Sequence, residues 1–242
     1  MMQVHTSADL QEERKRLDAF FHFGISVDCV VFGYDGENLQ VLLIERGAEP
    51  YKGFEAIPGD LVSLNEDIAE ATKRVLHDLT GLPDIYLEQL NTFGAVDRHP
   101  MGRVVTVVYY ALLDKNLYNP HPSSWAIEAY WKNLDEVGEM AFDHRQILEV
   151  AVRHLHHKVQ HQPIGFELLP EEFTLAQLQQ LYETILNTTF DKGNFRKKML
   201  SMNVLIPLDK MQKEVRHRPA RLYRFDQKRY EQLVQKGYLF EL

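Results

Sequence analysis

The sequence predicts an α+β chain in two parts, an α/β/α sandwich over residues 1–160 and a winged helix-turn-helix over residues 161–242. Three observations carry this. Apolar strand-like runs and amphipathic helices mix up to residue 159. A stretch with two prolines and a glycine, residues 158–170, then interrupts them. After it the pattern is helix, turn, helix and hairpin. The 242 residues suffice for two small domains. A hydrophobic share of 45% with 26% charged residues is that of an ordinary soluble chain, and no apolar run is long enough to span a membrane. Met1 to Thr6 has neither the basic start nor the apolar core of a secretory signal. The single cysteine, Cys29, excludes an internal disulfide and a Cys-rich zinc module, so a reducing, cytoplasmic setting is expected.

Residues 7–22 read as a charged helix. Ile25 to Phe32 and Leu39 to Ile44 are apolar strands, joined by the turn signal Gly33-Tyr34-Asp35-Gly36. Cys29 within the first is expected to be a small buried core residue. Residues 45–65, with Gly47, Pro50, Gly53, Pro58 and Gly59, read as loop. From Glu66 to Leu79 the residues Ile68, Ala71, Val75 and Leu79 form one helical stripe, and Gly81 is placed to end it. Val104 to Leu113 is a strong strand, Trp131 to Leu134 a short apolar piece, and His144 to Val159 an amphipathic helix. His154, His157 and His161 fall on one side of that helix, with no fixed fourth ligand, so no metal site is expected. In the second part Thr174 to Leu186 is a helix and Asn187 to Thr189 a turn. Asp191 caps a helix running to about Met202, and the strands Val204 to Leu208 and Ala220 to Phe225 flank a basic tip.

Charge separates the two parts. Residues 1–190 hold 14 Lys+Arg against 29 Asp+Glu, a net of -15, whereas residues 191–230 hold 12 against 4, a net of +8. An acidic chain that gathers its cations into 40 residues has a polyanion as the expected partner of that segment. On a helical wheel Phe195, Met199 and Met202 fall together, towards the core. Lys192, Asn194, Arg196, Lys197 and Lys198 lie on the outer arc and its flanks, and Lys213, Arg216, His217, Arg218 and Arg221 cluster at the hairpin. Arg can address guanine edges and Asn adenine edges, while Lys holds phosphates. Lys192, Asn194, Arg196, Lys197, Lys198, Arg216, Arg218 and Arg221 are therefore the candidate contacts to a double-stranded DNA operator. A solvated face, or a surface for RNA or protein, is the competing reading.

Residues 59–82 resemble a Nudix box, whose pattern is Gly, five residues, Glu, seven residues, Arg-Glu-U-x-Glu-Glu-x-Gly-U with U aliphatic. Glu66, Arg74, Leu76, Gly81 and Leu82 match in spacing. The first glycine is Asp60 here, and the three box glutamates fall on Val75, Asp78 and Leu79. In Nudix hydrolases those glutamates face one point and hold a divalent cation against a diphosphate, and magnesium demands such oxygen donors. Val75 and Leu79 offer none, and Asp78, four residues after Arg74, is expected to form a helical ion pair with it. No catalytic residue, metal or cofactor is therefore expected.

The segments Phe93 to Val105, Ala141 to His144, Leu168 to Leu175, Asp191 to Lys198 and Arg218 to Phe225 are similar to those of Nudix-related transcriptional regulators, the NrtR-like family. This resemblance runs from about residue 22 to 230. It implies a Nudix-like sandwich that senses a small metabolite, fused to a winged helix-turn-helix that binds a palindromic operator as a homodimer. It also implies ADP-ribose or a sugar as effector, the latter with a role in sugar catabolism. Arg46, Asp97, Arg98, His99, Arg103 and His144 are the candidate effector contacts, with Phe93 and Tyr109 as stacking surfaces. Arg46, Arg98 and Arg103 could clamp a diphosphate or hold sugar hydroxyls. The degraded box tilts the expectation towards a sugar or sugar derivative. The rival is a Nudix hydrolase of nucleoside-diphosphate derivatives with an atypical metal site.

Overall fold

A computed structural model describes residues 23–213, 219–238 and 240. The expected helix over residues 7–22, and Arg216 and Arg218 of the expected wing, lie outside these. A seven-stranded mixed sheet forms the first part. At its centre β1 (Gly24–Tyr34) runs parallel to β6 (Val104–Asp114) over their full lengths. On its other side β1 turns into β2 (Leu39–Arg46), pairing Phe32 with Val41. The edges are β3 (Glu55–Ala56), β4 (Gly59–Leu61), β5 (Glu88–Phe93) and β7 (Ala126–Asn133).

Both faces of β1 are covered, which is why it reads as a continuous apolar run. Successive side chains of a strand alternate between faces. Val27, Cys29 and Val31 pack towards α1 (Ile68–Thr80), against Val75, Leu76 and Leu79. Val30, Phe32 and Tyr34 pack towards α2 (His144–His161), against its stripe of Ile147, Leu148, Ala151, Leu155 and Val159. Helix α1 begins two residues later than the wheel predicts, because Asp67 caps it. The Asp67 carboxylate accepts from the Glu70 N–H, and the Glu70 side chain answers at the Asp67 N–H. Gly81 ends it in the left-handed region, φ 68°.

The second part follows a short helical turn, Ile164–Leu168. Helix α3 (Leu175–Leu186) starts from a Thr174 capping box, and α4 (Lys192–Ser201) from Asp191, whose carboxylate accepts from the Asn194 N–H. The strands β8 (Phe173–Thr174), β9 (Leu205–Met211) and β10 (Arg221–Phe225) form a three-stranded sheet ordered β8-β10-β9. A last helix, α5 (Gln227–Gln235), follows. One apolar cluster continues from α2 into Leu178, Leu181, Tyr182 and Ile185 of α3, so the two parts share a core.

Several elements depart from the sequence reading. The stretch read as loop carries β3 and β4, the Trp131 piece is the end of β7, and β5 and α5 were not expected. Among the described residues no helix is long and apolar enough to cross a membrane.

Candidate functional site

The Nudix-like box folds as a loop and helix in which two of the three positions that carry glutamates in the Nudix pattern, Val75 and Leu79, are buried hydrocarbon. Val75 and Leu79 are 0% and 1% exposed and pack among Val27, Ile44, Ala56 and Ala141. The expected ion pair between Arg74 and Asp78 does not form. The Arg74 Nε and Nη2 instead donate to Glu66 at 2.8 and 2.6 Å, and Nη2 also reaches the Leu61 carbonyl. This fork holds the Glu66 carboxyl down to about 2. It also ties the loop to the helix. Asp78 is left at the surface, 3.4 Å from His77. Among the described residues no cluster of three or more His, Cys, Asp or Glu side chains could hold a metal ion. The donor set does not fit the magnesium that a complete box would bind.

Beside this box lies a cavity of about 350 Å³ into which Arg46, Arg98, His99 and His144 all project, together with Asp28, Asp60, Trp125 and Phe142. Its floor is a buried charge cluster. The Arg98 guanidinium, 4% exposed, grips Asp143 with two hydrogen bonds of 2.9 and 2.7 Å and lies 3.6 Å from Asp28. Asp143 stands at the N-cap of α2, yet caps no backbone N–H. The Thr106 hydroxyl donates to Asp28 at 2.6 Å, and burial pushes the Asp28 carboxyl up to about 6. His144 Nδ1 accepts the Ile57 N–H at 3.0 Å, which leaves its proton on Nε2, 3.5 Å from Asp28. Burial holds His144 neutral, with its pKa down to about 3. Gly59 lets β4 lie against this floor, since a Cβ there would meet Asp28 Oδ1 at 1.8 Å.

The wall is a ladder of flat groups. The Arg46 guanidinium carbon lies 4.8 Å from the ring centres of both Trp125 and Phe142. Phe142 in turn stacks on His99 at 5.0 Å, with planes 14° apart. Phe142 takes the left-handed conformation, φ 54°, unusual for a bulky side chain. The Trp125 indole N–H donates to Asp60 at 3.1 Å, which fixes its plane. Arg46 Nε donates to the Pro50 carbonyl at 2.9 Å.

The remaining expected effector contacts are elsewhere. Arg103 Nη1 donates to the carbonyls of Gly94 and Ala95, holding the turn that presents Arg98 and His99. Asp97 is exposed on that turn. Phe93 packs against the core, and Tyr109 borders a separate recess with Thr72, Lys73 and Asp84. Asp28, Trp125 and Phe142 were missed. Phe142 lies two residues before His144, in a segment already singled out.

In the second part, Phe195 and Met199 turn inward, Phe195 against Tyr182 and Phe190. Lys192, Asn194, Arg196, Lys197 and Lys198 are all exposed. None of these cations pairs with a carboxylate among the described residues. Arg221 is engaged within its own hairpin, by the Leu208 carbonyl and Asp209.

Two family models match, a NUDIX domain over residues 22–151 and the NrtR DNA-binding winged helix domain over residues 165–225. An ADPR responsive transcriptional repressor, NtrR, of Acinetobacter baylyi is 35% identical over 211 residues, covering 86% of this chain and 84% of that protein. The chain belongs to the NrtR family. The crystal structure of Shewanella oneidensis NrtR complexed with a 27mer DNA superposes with a TM-score of 0.68 at 30% identity, over 89% of this chain and 97% of that one. The NUDIX domain of the same NrtR, complexed with ADP ribose, gives 0.55 at 30% identity over 62% and 99%. An ADP-ribose pyrophosphatase of Methanocaldococcus jannaschii is 29% identical over 143 residues, 59% of this chain and 81% of that enzyme.

Proposed function

We propose that this NrtR-family chain is a cytoplasmic, homodimeric, DNA-binding repressor whose Nudix domain, residues 1–160, binds ADP-ribose and does not hydrolyse it. The single observation behind this reading is the coexistence of a cavity with a box in which two of three cation-donor positions, Val75 and Leu79, are buried hydrocarbon. A pocket that recognises a nucleotide sugar without a metal to cleave it is a receptor. The relatives that respond to or bind ADP-ribose favour that effector within the wider class of sugar derivatives. The operator would be read by the exposed face of α4, with Arg216, Arg218 and Arg221 of the wing on phosphates or in the minor groove. A dimer presents two such helices to two half-sites of a palindrome.

The test selects duplexes from a random 27-base-pair library with the full chain, then titrates ADP-ribose into the complex. Operator affinity is expected to change about 5- to 150-fold. Ribose, glucose and arabinose serve as comparison ligands, and magnesium-dependent release of AMP is expected to be absent. Turnover of ADP-ribose that disappears in Asp78→Ala would establish the hydrolase instead.

A further inference from the structure

We infer that Arg46 takes the place of the divalent cation, so that this chain holds the diphosphate of a nucleoside-diphosphate derivative on a guanidinium and without metal. The inference rests on the proposed effector class but goes beyond it, to how the charge is met. A pyrophosphate diester is a dianion, and burying it uncompensated is prohibitively costly. In a complete box the cation compensates it. Here Val75 and Leu79 are sealed in the core, and among the described residues no group of three or more His, Cys, Asp or Glu is placed to hold a metal ion instead.

The compensation has to come from a side chain at the cavity, and only one there is suited. The Arg98 charge is already met, its Nε and Nη2 by Asp143, with Asp28 3.6 Å away. His99 is kept uncharged, since burial and the neighbouring Arg98 and Arg46 lower its pKa. His144 is neutral. Arg103 faces the carbonyls of Gly94 and Ala95. The Arg46 side chain makes one hydrogen bond, through Nε to Pro50, and its terminal nitrogens have no hydrogen-bond partner among the described residues. The Trp125 and Phe142 rings each lie 4.8 Å from its guanidinium carbon, so little rotamer freedom remains to be lost on binding. Fork geometry matches a phosphate bidentately, which a lysine cannot do. Burial lowers the Arg46 pKa, with Asp60, Asp28 and Glu49 acting against it, and a guanidinium remains cationic at neutral pH.

The experiment titrates the full chain with ADP-ribose and with ADP by calorimetry, in EDTA and in magnesium, for wild type, Arg46→Lys and Arg46→Gln. Wild-type affinity is expected to be the same in EDTA and magnesium. Arg46→Gln should weaken both ligands about 10- to 100-fold, the loss of a charge-assisted pair, and Arg46→Lys should recover only part of that. Wild-type binding that requires magnesium overturns the inference whatever the variants do. Binding of both ligands undiminished in Arg46→Gln also overturns it, and leaves ADP-ribose sensing intact. ADP bound through Arg46 while ADP-ribose is ignored would support the inference and reject the proposed effector. Neither ligand bound by wild type rejects both.

Discussion

Asp28 and His144 face each other across 3.5 Å on the cavity floor, and their protons move in opposite senses on folding. The Asp28 carboxyl is raised from 3.8 to about 6, and the His144 imidazole lowered from 6.5 to about 3, both chiefly by burial. Arg98, Asp143, Arg46 and Thr106 are the other polar groups acting on the pair. The Asp28 contribution to stability is complete below its unfolded value and is lost as the pH rises through about 6. The His144 contribution is complete above 6.5 and is lost as the pH falls towards about 3. Between about pH 4 and 6 the folded state has gained one proton and forgone another, so the two slopes cancel. Asp28→Asn removes one side of this balance. Its stability should fall on acidification from pH 6 to 4 by about 1.4 kcal/mol per pH unit more than wild type does, measured as urea unfolding against pH. Parallel profiles for the two proteins would show that Asp28 releases its proton at the same pH folded and unfolded.

Elements with an internal pattern were legible in the sequence, and those created by their neighbours were not. Helix α1 announced itself through the spacing of Ile68, Ala71, Val75 and Leu79, and Gly81 marked its end. In contrast β5 reads Glu-Gln-Leu-Asn-Thr-Phe, and no residue of it is fully buried. Only pairing with β6 makes it a strand. Helix α5 likewise buries none of its residues and depends on the Asp226 cap. The site divides in the same way. Arg46, Arg98, His99 and His144 stood out by chemistry, whereas Asp28 lies inside an apolar strand, and Trp125 and Phe142 lie in segments without period. What joins these three is contact across the fold. Two predictions belong at this scale. Gly81→Ala should cost at least about 1 kcal/mol, because φ is left-handed and a Cβ would meet the His121 carbonyl oxygen at 2.6 Å. Gly36→Ala, at φ 102° with nothing within 4 Å, should show only the backbone strain, so chemical denaturation of both separates clash from strain. On α4, Arg196→Ala with Lys197→Ala should lower operator affinity at least about 30-fold with the melting curve unchanged, since both side chains are solvent-exposed. Wild-type affinity in that pair would move the reading surface off this helix.

At the scale of the molecule, α2 connects the two activities. Its first residue, His144, lines the cavity proposed for the effector, and its buried stripe runs on into the cluster that holds α3. A second tie joins the Thr184 hydroxyl of α3 to the Glu37 carbonyl in the β1–β2 turn, at 3.2 Å. A shift of α2 on effector binding therefore cannot leave the winged part in place without breaking close packing, and packed interfaces switch between discrete arrangements rather than deform smoothly. The coupling this produces has to be reciprocal. If saturating ADP-ribose changes the dissociation constant for the operator by some factor, saturating operator must change that for ADP-ribose by the same factor. Anisotropy of a labelled duplex measures the first, and calorimetric titration of ADP-ribose into the preformed complex measures the second. Both belong at one salt concentration, because the operator term is steeply salt-dependent and the effector term, set within the cavity, is far less so. A large shift in operator affinity with no shift in effector affinity would break the linkage. It would mean that DNA is released by some event other than a change in the equilibrium that α2 transmits.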